Sequence, residues 1–293
     1  MICIDKNFNE VNMPFVIEQI EIGIRDYLQK ISLEKNTLEN ALLNMDNLYI
    51  QVSDDNSYNI KATDGSLKKY KIPSNVGACK TNMIIKANSS ELNITPGVAL
   101  RGSYTPHQVV HEILHGISSK QHSYFDENGI TYTKTGTKVD YYDKSLNDYE
   151  KNDNLSSEGL NEGITEYLAS LITNEYNGCY APYVVISHLF MNSNNFLLNA
   201  YFKDDLSLME NFYNDVEDKQ SLITREDFMK LNSKSQNFED ISKIISAGIM
   251  YNRTYGNEIS EEELNFFTEY LDTYSMLDYG SWGDLISCHS ISL

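Results

Sequence analysis

Apolar residues between positions 13 and 31 recur mostly at three- and four-residue steps, through Phe15, Ile20, Ile24, Tyr27/Leu28 and Ile31. That spacing predicts a helix with one buried stripe. A second short helix is expected from Leu38 to Met45. After Asn47 the texture changes to short apolar-rich runs. Short runs at 49–52, 58–62, 69–72 and 83–86 are split by Asp55-Asn56, Asp64-Gly65 and Pro73-Ser74-Asn75. They predict a small sheet of hairpins. From Thr105 the pattern turns helical again and stays so to the end, with one interruption. Residues 123–155 are polar, and Gly129-Ile130-Thr131-Tyr132-Thr133 alternates as a strand does. They read as a hairpin and loop inserted between two helices. Further helices are expected near 182–191, 205–217, 224–231, 238–253 and 260–276. The fold class is therefore α+β, with short antiparallel strands in a small mixed N-terminal lobe and a mainly helical C-terminal lobe. One domain of residues 1–293 is expected, in lobes 1–122 and 156–293 around the insert 123–155.

Charge narrows the function classes. The 293 residues carry 23 Lys+Arg against 42 Asp+Glu, a net charge of −19. An acidic chain repels phosphate, which argues against nucleic acid as a partner. No run approaches the roughly 18 apolar residues of a membrane span. Hydrophobic residues at 41% suffice for a core. The hairpin region is locally basic through Lys61, Lys68, Lys69, Lys71, Lys80 and Lys86. These fit solvated strand faces, with docking of acidic partners as the alternative. Cys3, Cys79, Cys179 and Cys288 form no C-x-x-C pair and read as free thiols. The first residues show no basic start followed by an apolar run, so a cytoplasmic location is expected.

His111-Glu112-Ile113-Leu114-His115 is an H-E-x-x-H motif. On a helix, positions 111 and 115 project from one face, one turn apart. Two imidazoles there can grip a zinc ion, and Glu112 beside them can take a proton from water. The flanking residues favour a helix. Thr105 suits the N-cap, Pro106 the first helical position, and Gln108 completes a capping box. A third ligand is needed, because catalytic zinc usually keeps three protein ligands and an open position. His122 is one residue out of the metzincin register and reads as a solvent-facing residue at the helix end. Glu162 and Glu166 offer a better answer. They stand four apart on one face of the helix that Leu160, Ile164, Leu168, Leu171 and Ile172 predict. Two carboxylates one turn apart repel, at a cost of about 0.2–0.5 kcal/mol. A cation and an imidazole N–H opposite them would offset that. Glu162 is then the zinc ligand, and Glu166 accepts from the far nitrogen of a ligand histidine, His111 first.

H-E-x-x-H followed by N-E-G-x-T-E resembles the gluzincin zinc metallopeptidases, the thermolysin-like clan, and within it bacterial members with an E-G-x-x-E-Y-L segment. The likeness covers His111–Gly116 and Leu160–Ala169. It implies a zincin-like fold and one zinc ion on His111, His115 and Glu162. It also implies Glu112 as general base and Glu166 in support, and Asn161 is placed in that supporting set. The implied activity is hydrolysis of peptide or protein substrates, with an endopeptidase weakly favoured. The alternative is a zinc-containing regulatory or binding protein with little hydrolytic activity. Two features depart from the clan. The 46 residues between His115 and Glu162 make a longer connection than usual, and the insert could line or cover a cleft. No motif marks the group that stabilises the oxyanion, leaving Tyr149, Tyr180, Tyr183, His188, Tyr251 and Tyr255 as candidates. His107, one turn before His111, reads as a non-ligand near the helix start. A Cys288/His289 pair is not expected to be catalytic. If the acidic excess surrounds the site, substrates with basic residues are expected to be preferred.

Overall fold

The computed structural model describes all residues except 54, 75, 147, 152–156, 177, 179, 232–236, 275–281 and 283–293. It is a mixed α+β structure whose chain groups into two compact units. The first holds Met1–Asn152, Leu168–Glu175 and Phe202–Asp204. The second holds Asp153–Tyr167, Tyr176–Tyr201 and Asp205–Leu293. Among the described residues, no helix is long and apolar enough to cross a membrane.

The first unit is built on a seven-stranded sheet. Its strands are β1 (Ile2–Ile4), β2 (Tyr49–Ser53), β3 (Ser57–Lys61), β4 (Leu67–Lys71), β5 (Ala78–Ala87), β6 (Glu91–Arg101) and β7 (His122–Tyr124). The order is β1-β2-β6-β5-β3-β4, with β7 beside the first residues of β6. The sheet is mixed rather than the expected set of antiparallel hairpins. β1, β2 and β6 pair in parallel, and so do β3 and β5 at Lys61 and Ile84. The other pairings are antiparallel.

β6 was hidden in the sequence by Pro96-Gly97, a pair that normally breaks strands. The fold accommodates both. Pro96 lacks an amide donor, and opposite it the register of β5 slips between Asn82 and Ile84. Gly97 is required by close approach, because a Cβ there would lie 2.2 Å from Met83 Cγ and 2.8 Å from the Tyr49 carbonyl.

Three helices cover this unit: α1 (Phe15–Lys30), α2 (Lys35–Asp46) and α3 (Pro106–Ile117). The buried stripe of α1 is Ile17, Ile20, Ile24 and Leu28. Phe15, counted in the sequence pattern, is instead 71% exposed and only opens the helix. α3 packs against β5, β6, α1 and α2 through Val109, Val110, Ile113, Leu114 and Ile117, all buried.

The polar insert forms a three-stranded antiparallel sheet of β8 (Ile130–Thr135), β9 (Lys138–Asp143) and β10 (Asp148–Lys151). Gly136 takes φ 59° in the two-residue loop between β8 and β9. This hairpin is stitched to the residues that follow α3. Lys120 donates its amide to the Lys134 carbonyl, Gly136 donates to Ser118, and Ser119 bridges Thr135. α3 ends at Ile117, so His122 stands on β7 rather than at a helix end. It is exposed there, with Nδ1 against Asn93.

The remaining helices are α4 (Glu158–Thr173), α5 (Ala181–Ser193), α6 (Phe196–Phe202), α7 (Leu206–Lys219), α8 (Arg225–Met229), α9 (Phe238–Thr254) and α10 (Glu261–Tyr274). Phe190, Phe212, Tyr213, Phe228 and Tyr251 make the aromatic centre of the second unit. α9 lies against α5 closely enough for the Asn252 amide to reach the Leu189 carbonyl at 2.5 Å. On α4, Gly163 touches the backbone of α5: a Cβ there would lie 2.4 Å from the Tyr183 carbonyl oxygen. Gly163→Ala is therefore expected to destabilise the fold by about 1–3 kcal/mol despite the better helix propensity of Ala. An unchanged midpoint in thermal unfolding would contradict that close approach.

Candidate metal centre

The two histidines of H-E-x-x-H depend on α3 being fixed at both ends. At its start the capping box is complete. Thr105 Oγ1 accepts from the Gln108 amide at 3.3 Å, and Gln108 Oε1 accepts from the Thr105 amide at 3.2 Å. Pro106 occupies the first turn. At its end the Ser118 and Ser119 hydroxyls both donate to the His115 carbonyl, at 3.1 and 2.7 Å. Asn44 of α2 donates to the Ile117 carbonyl at 2.8 Å. These contacts satisfy carbonyls that a helix terminus leaves unpaired.

His111 and His115 are buried, and their Nε2 atoms lie 3.2 Å apart, with rings inclined at 74°. Nitrogen ligands about 2.0–2.1 Å from one tetrahedral zinc ion stand about 3.3–3.4 Å apart. The imidazole pair fits that edge. Glu162, half-buried on α4, completes a group whose ligand atoms all lie within 4.8 Å of one another and which could hold a metal ion. Two imidazoles and one carboxylate are a donor set suited to zinc.

Glu112 is outside this ligand group and has a different partner. Its Oε2 accepts the backbone amide of Lys80, on β5, at 2.6 Å. A charge-assisted bond to a backbone donor holds the carboxylate more firmly than a mobile side chain could. Glu166 is buried one turn after Glu162, and Asn161 is buried beside it. The Asn161 carbonyl accepts from Thr165, whose hydroxyl also meets Tyr201 at 2.7 Å. His107 is buried but lies outside the ligand group. Its Nδ1 meets the Thr173 hydroxyl at 2.9 Å, which ties the first turn of α3 to the last turn of α4.

The oxyanion candidates separate. Tyr251 and Tyr255 both donate to Asp215, the latter at 2.5 Å. Burial and then Asp215 raise both hydroxyls above the ordinary tyrosine range. His188 packs against Tyr167 and Phe267 and faces Glu263 at 3.3 Å, and burial lowers its pKa. These three are engaged elsewhere. Tyr180 caps α5 in a left-handed conformation. Tyr183 is buried, its hydroxyl pushed up to about 12 by burial and then by Glu158. The Tyr149 side chain, Cys179, Cys288 and His289 lie outside the described residues. Burial pushes the Cys79 thiol up to about 12, with Glu112 adding to the shift, and the Cys3 thiol up to about 11. Neither is a thiolate nucleophile near neutral pH.

The sequence reading missed Lys80 as part of this environment. Its ammonium donates to Thr135 Oγ1 of the insert at 2.9 Å. Burial, followed by Lys138, pushes it down to about 8, against the opposing pull of Asp140 and Glu112. The sequence marks it only as one of six lysines of a basic hairpin region, with nothing that ties it to Glu112.

No protein-family model, curated protein or solved structure matches this chain. The chemistry of the group therefore rests on its own geometry. The capping box gives a first test of that geometry. Thr105→Ala is expected to cost about 1 kcal/mol in urea unfolding. Asn would accept the same hydrogen bond, so Thr105→Asn should restore most of the loss. Equal stability of Thr105→Ala and wild type would show that the cap does not hold α3.

Proposed function

We propose that the chain is a zinc-dependent peptidase of gluzincin type with a zincin-like fold, in which His111, His115 and Glu162 hold one zinc ion. The observation that carries this reading is the arrangement around α3. Two buried imidazole nitrogens stand at a spacing suited to one ion, with a carboxylate within reach. A second carboxylate on the same helix is held separately by a backbone amide. Zinc in such a site supplies Lewis-acid polarisation of the scissile carbonyl and acidification of water to a pKa of about 7.

The rest of the chemistry belongs to the chain. Glu112 takes a proton from the attacking water and passes it to the leaving amine. The Lys80 amide occupies one lone pair of Oε2, which keeps the carboxylate from swinging into the ligand set. Glu166, buried on the same helix as Glu162, is suited to accept from the far nitrogen of His111. A purely binding or regulatory zinc protein has no use for Glu112 in this position, which favours the hydrolytic reading.

Glu112→Gln isolates this role, because an amide oxygen can still accept the Lys80 N–H while the side chain no longer takes a proton. The expected outcome is loss of peptide cleavage by at least about 100-fold, the lower range for a general base. Zinc content by elemental analysis should stay at that of wild type. His111→Ala and His115→Ala should lose the metal as well as the activity. Cleavage that persists in Glu112→Gln, or zinc retained after removal of both histidines, would sink the assignment.

A further inference from the structure

We propose that Lys80, held by Thr135 and Asn82 beside Glu112, forms a subsite for a carboxylate of the substrate, so that the enzyme selects acidic peptides. The inference rests on the peptidase reading and names its substrate class.

The position of Lys80 is the first argument. Its own backbone amide holds the Glu112 carboxylate at 2.6 Å, so its side chain starts within one residue of the group assigned to proton transfer. The second argument is what the ammonium meets. It donates to Thr135 Oγ1 at 2.9 Å and to Asn82 Oδ1 at 3.5 Å, both neutral acceptors. Among the described residues, no carboxylate oxygen lies within ion-pair distance of it. Other half-buried lysines of this acidic chain do find carboxylates: Lys120 pairs with Asp204 at 2.9 Å, and Lys203 with Glu34 at 3.3 Å. Lys138 is turned to Asp140 at 3.5 Å and adds positive charge next to Lys80.

The third argument is rigidity. Thr135 Oγ1 meets Ser119 Oγ at 3.1 Å, and Ser119 Oγ donates to the His115 carbonyl at 2.7 Å. A chain of hydroxyls therefore fixes the ammonium relative to the end of α3. An ammonium has three donors, and here two face neutral oxygens, one of them weakly. A partly buried cation with a spare donor, on which Asp140 and Glu112 act only from beyond ion-pair distance, is a site for a closer anion. A glutamate or aspartate side chain next to the scissile bond, or a chain-terminal carboxylate, carries that chemistry. The expectation of basic substrates follows from the acidic residues of the chain as a whole, whereas Lys80 and Lys138 offer a local positive pair on this side of Glu112.

The test uses the zinc-loaded full chain and a peptide set in which Glu, Gln or Lys is stepped through each position, with free or amidated C-termini. Wild type should cleave the best Glu or free-carboxylate peptide about tenfold or more faster, in kcat/KM, than its Gln or amide counterpart. Lys80→Gln should bring that ratio close to one, Lys80→Glu should move the preference to Lys, and Lys80→Arg should retain it. Circular dichroism and zinc content report folding for each variant. A ratio unchanged in Lys80→Gln, or no acidic preference in wild type, overturns the subsite. Failure of the peptidase reading looks different: zinc binds and no peptide is cut. Fluorescence anisotropy of the same peptides on Glu112→Gln then decides the subsite alone. Tighter binding of the acidic peptide that is lost in Glu112→Gln/Lys80→Gln supports it, and equal binding of acidic and neutral peptides overturns it.

Discussion

Two imidazole Nε2 atoms held 3.2 Å apart are the constraint on which the rest of this site depends. Their lone pairs repel unless a proton or a cation lies between them, and burial removes the water that would otherwise screen them. A helix free to fray would relieve the contact by moving its last turn. α3 is denied that freedom at both ends, by the Thr105–Gln108 box at the start and by Ser118, Ser119 and Asn44 at the finish. Its apolar face is locked against β5 and β6. The sheet thus serves the site by holding a helix that would otherwise relax away from the geometry that suits a metal.

The same helix explains how much of the site could be read from the chain. His111, Glu112 and His115 are legible because helical periodicity converts spacing into a shared face, and the cap residues that start α3 are local. Glu162 is legible through a small anomaly, two carboxylates on one turn whose mutual repulsion a positive partner opposite would offset. β6 was not legible, because Pro96 and Gly97 break the strand pattern. They are tolerated through contacts with Met83 and Tyr49, residues far away in sequence. The parallel pairing of β1, β2 and β6 likewise joins segments separated by tens of residues and leaves no local mark. Phe15 shows the opposite failure: its position fits the stripe, yet it precedes the part of α1 that packs.

Net charge alone does not describe the surroundings of Lys80 and Glu112. A value of −19 describes the whole chain, whereas the field at an atom is set by groups within roughly a Debye length, about 8–10 Å. Around the Lys80 ammonium those groups include Lys138, Asp140 and Glu112. The polar insert brings the second lysine, and its Thr135 orients the first. A segment that reads as a surface loop between two helices therefore brings charges of both signs, Lys138 and Asp140, to the Lys80 ammonium. Its hairpin can do so because the carbonyls of Ser118 and Lys134 and the hydroxyls of Ser119 and Thr135 bind it to the end of α3.

β5 then makes two contacts that are separable in chemistry though they share one residue: the Lys80 amide to Glu112 and the Lys80 ammonium to Thr135. The backbone of Lys80 holds the Glu112 carboxylate, and any side chain at that position except proline preserves its amide. The side chain addresses charge, and its reach is set by the insert rather than by the strand. A strand is a good place for this division, since its amides and its side chains point along perpendicular directions. The strand's register can be conserved by its pairing with β6 while the side chain is free to vary. Under the proposed reading, the side chain at position 80 can change without moving the Glu112 carboxylate, so specificity and turnover are expected to respond independently to change at this strand.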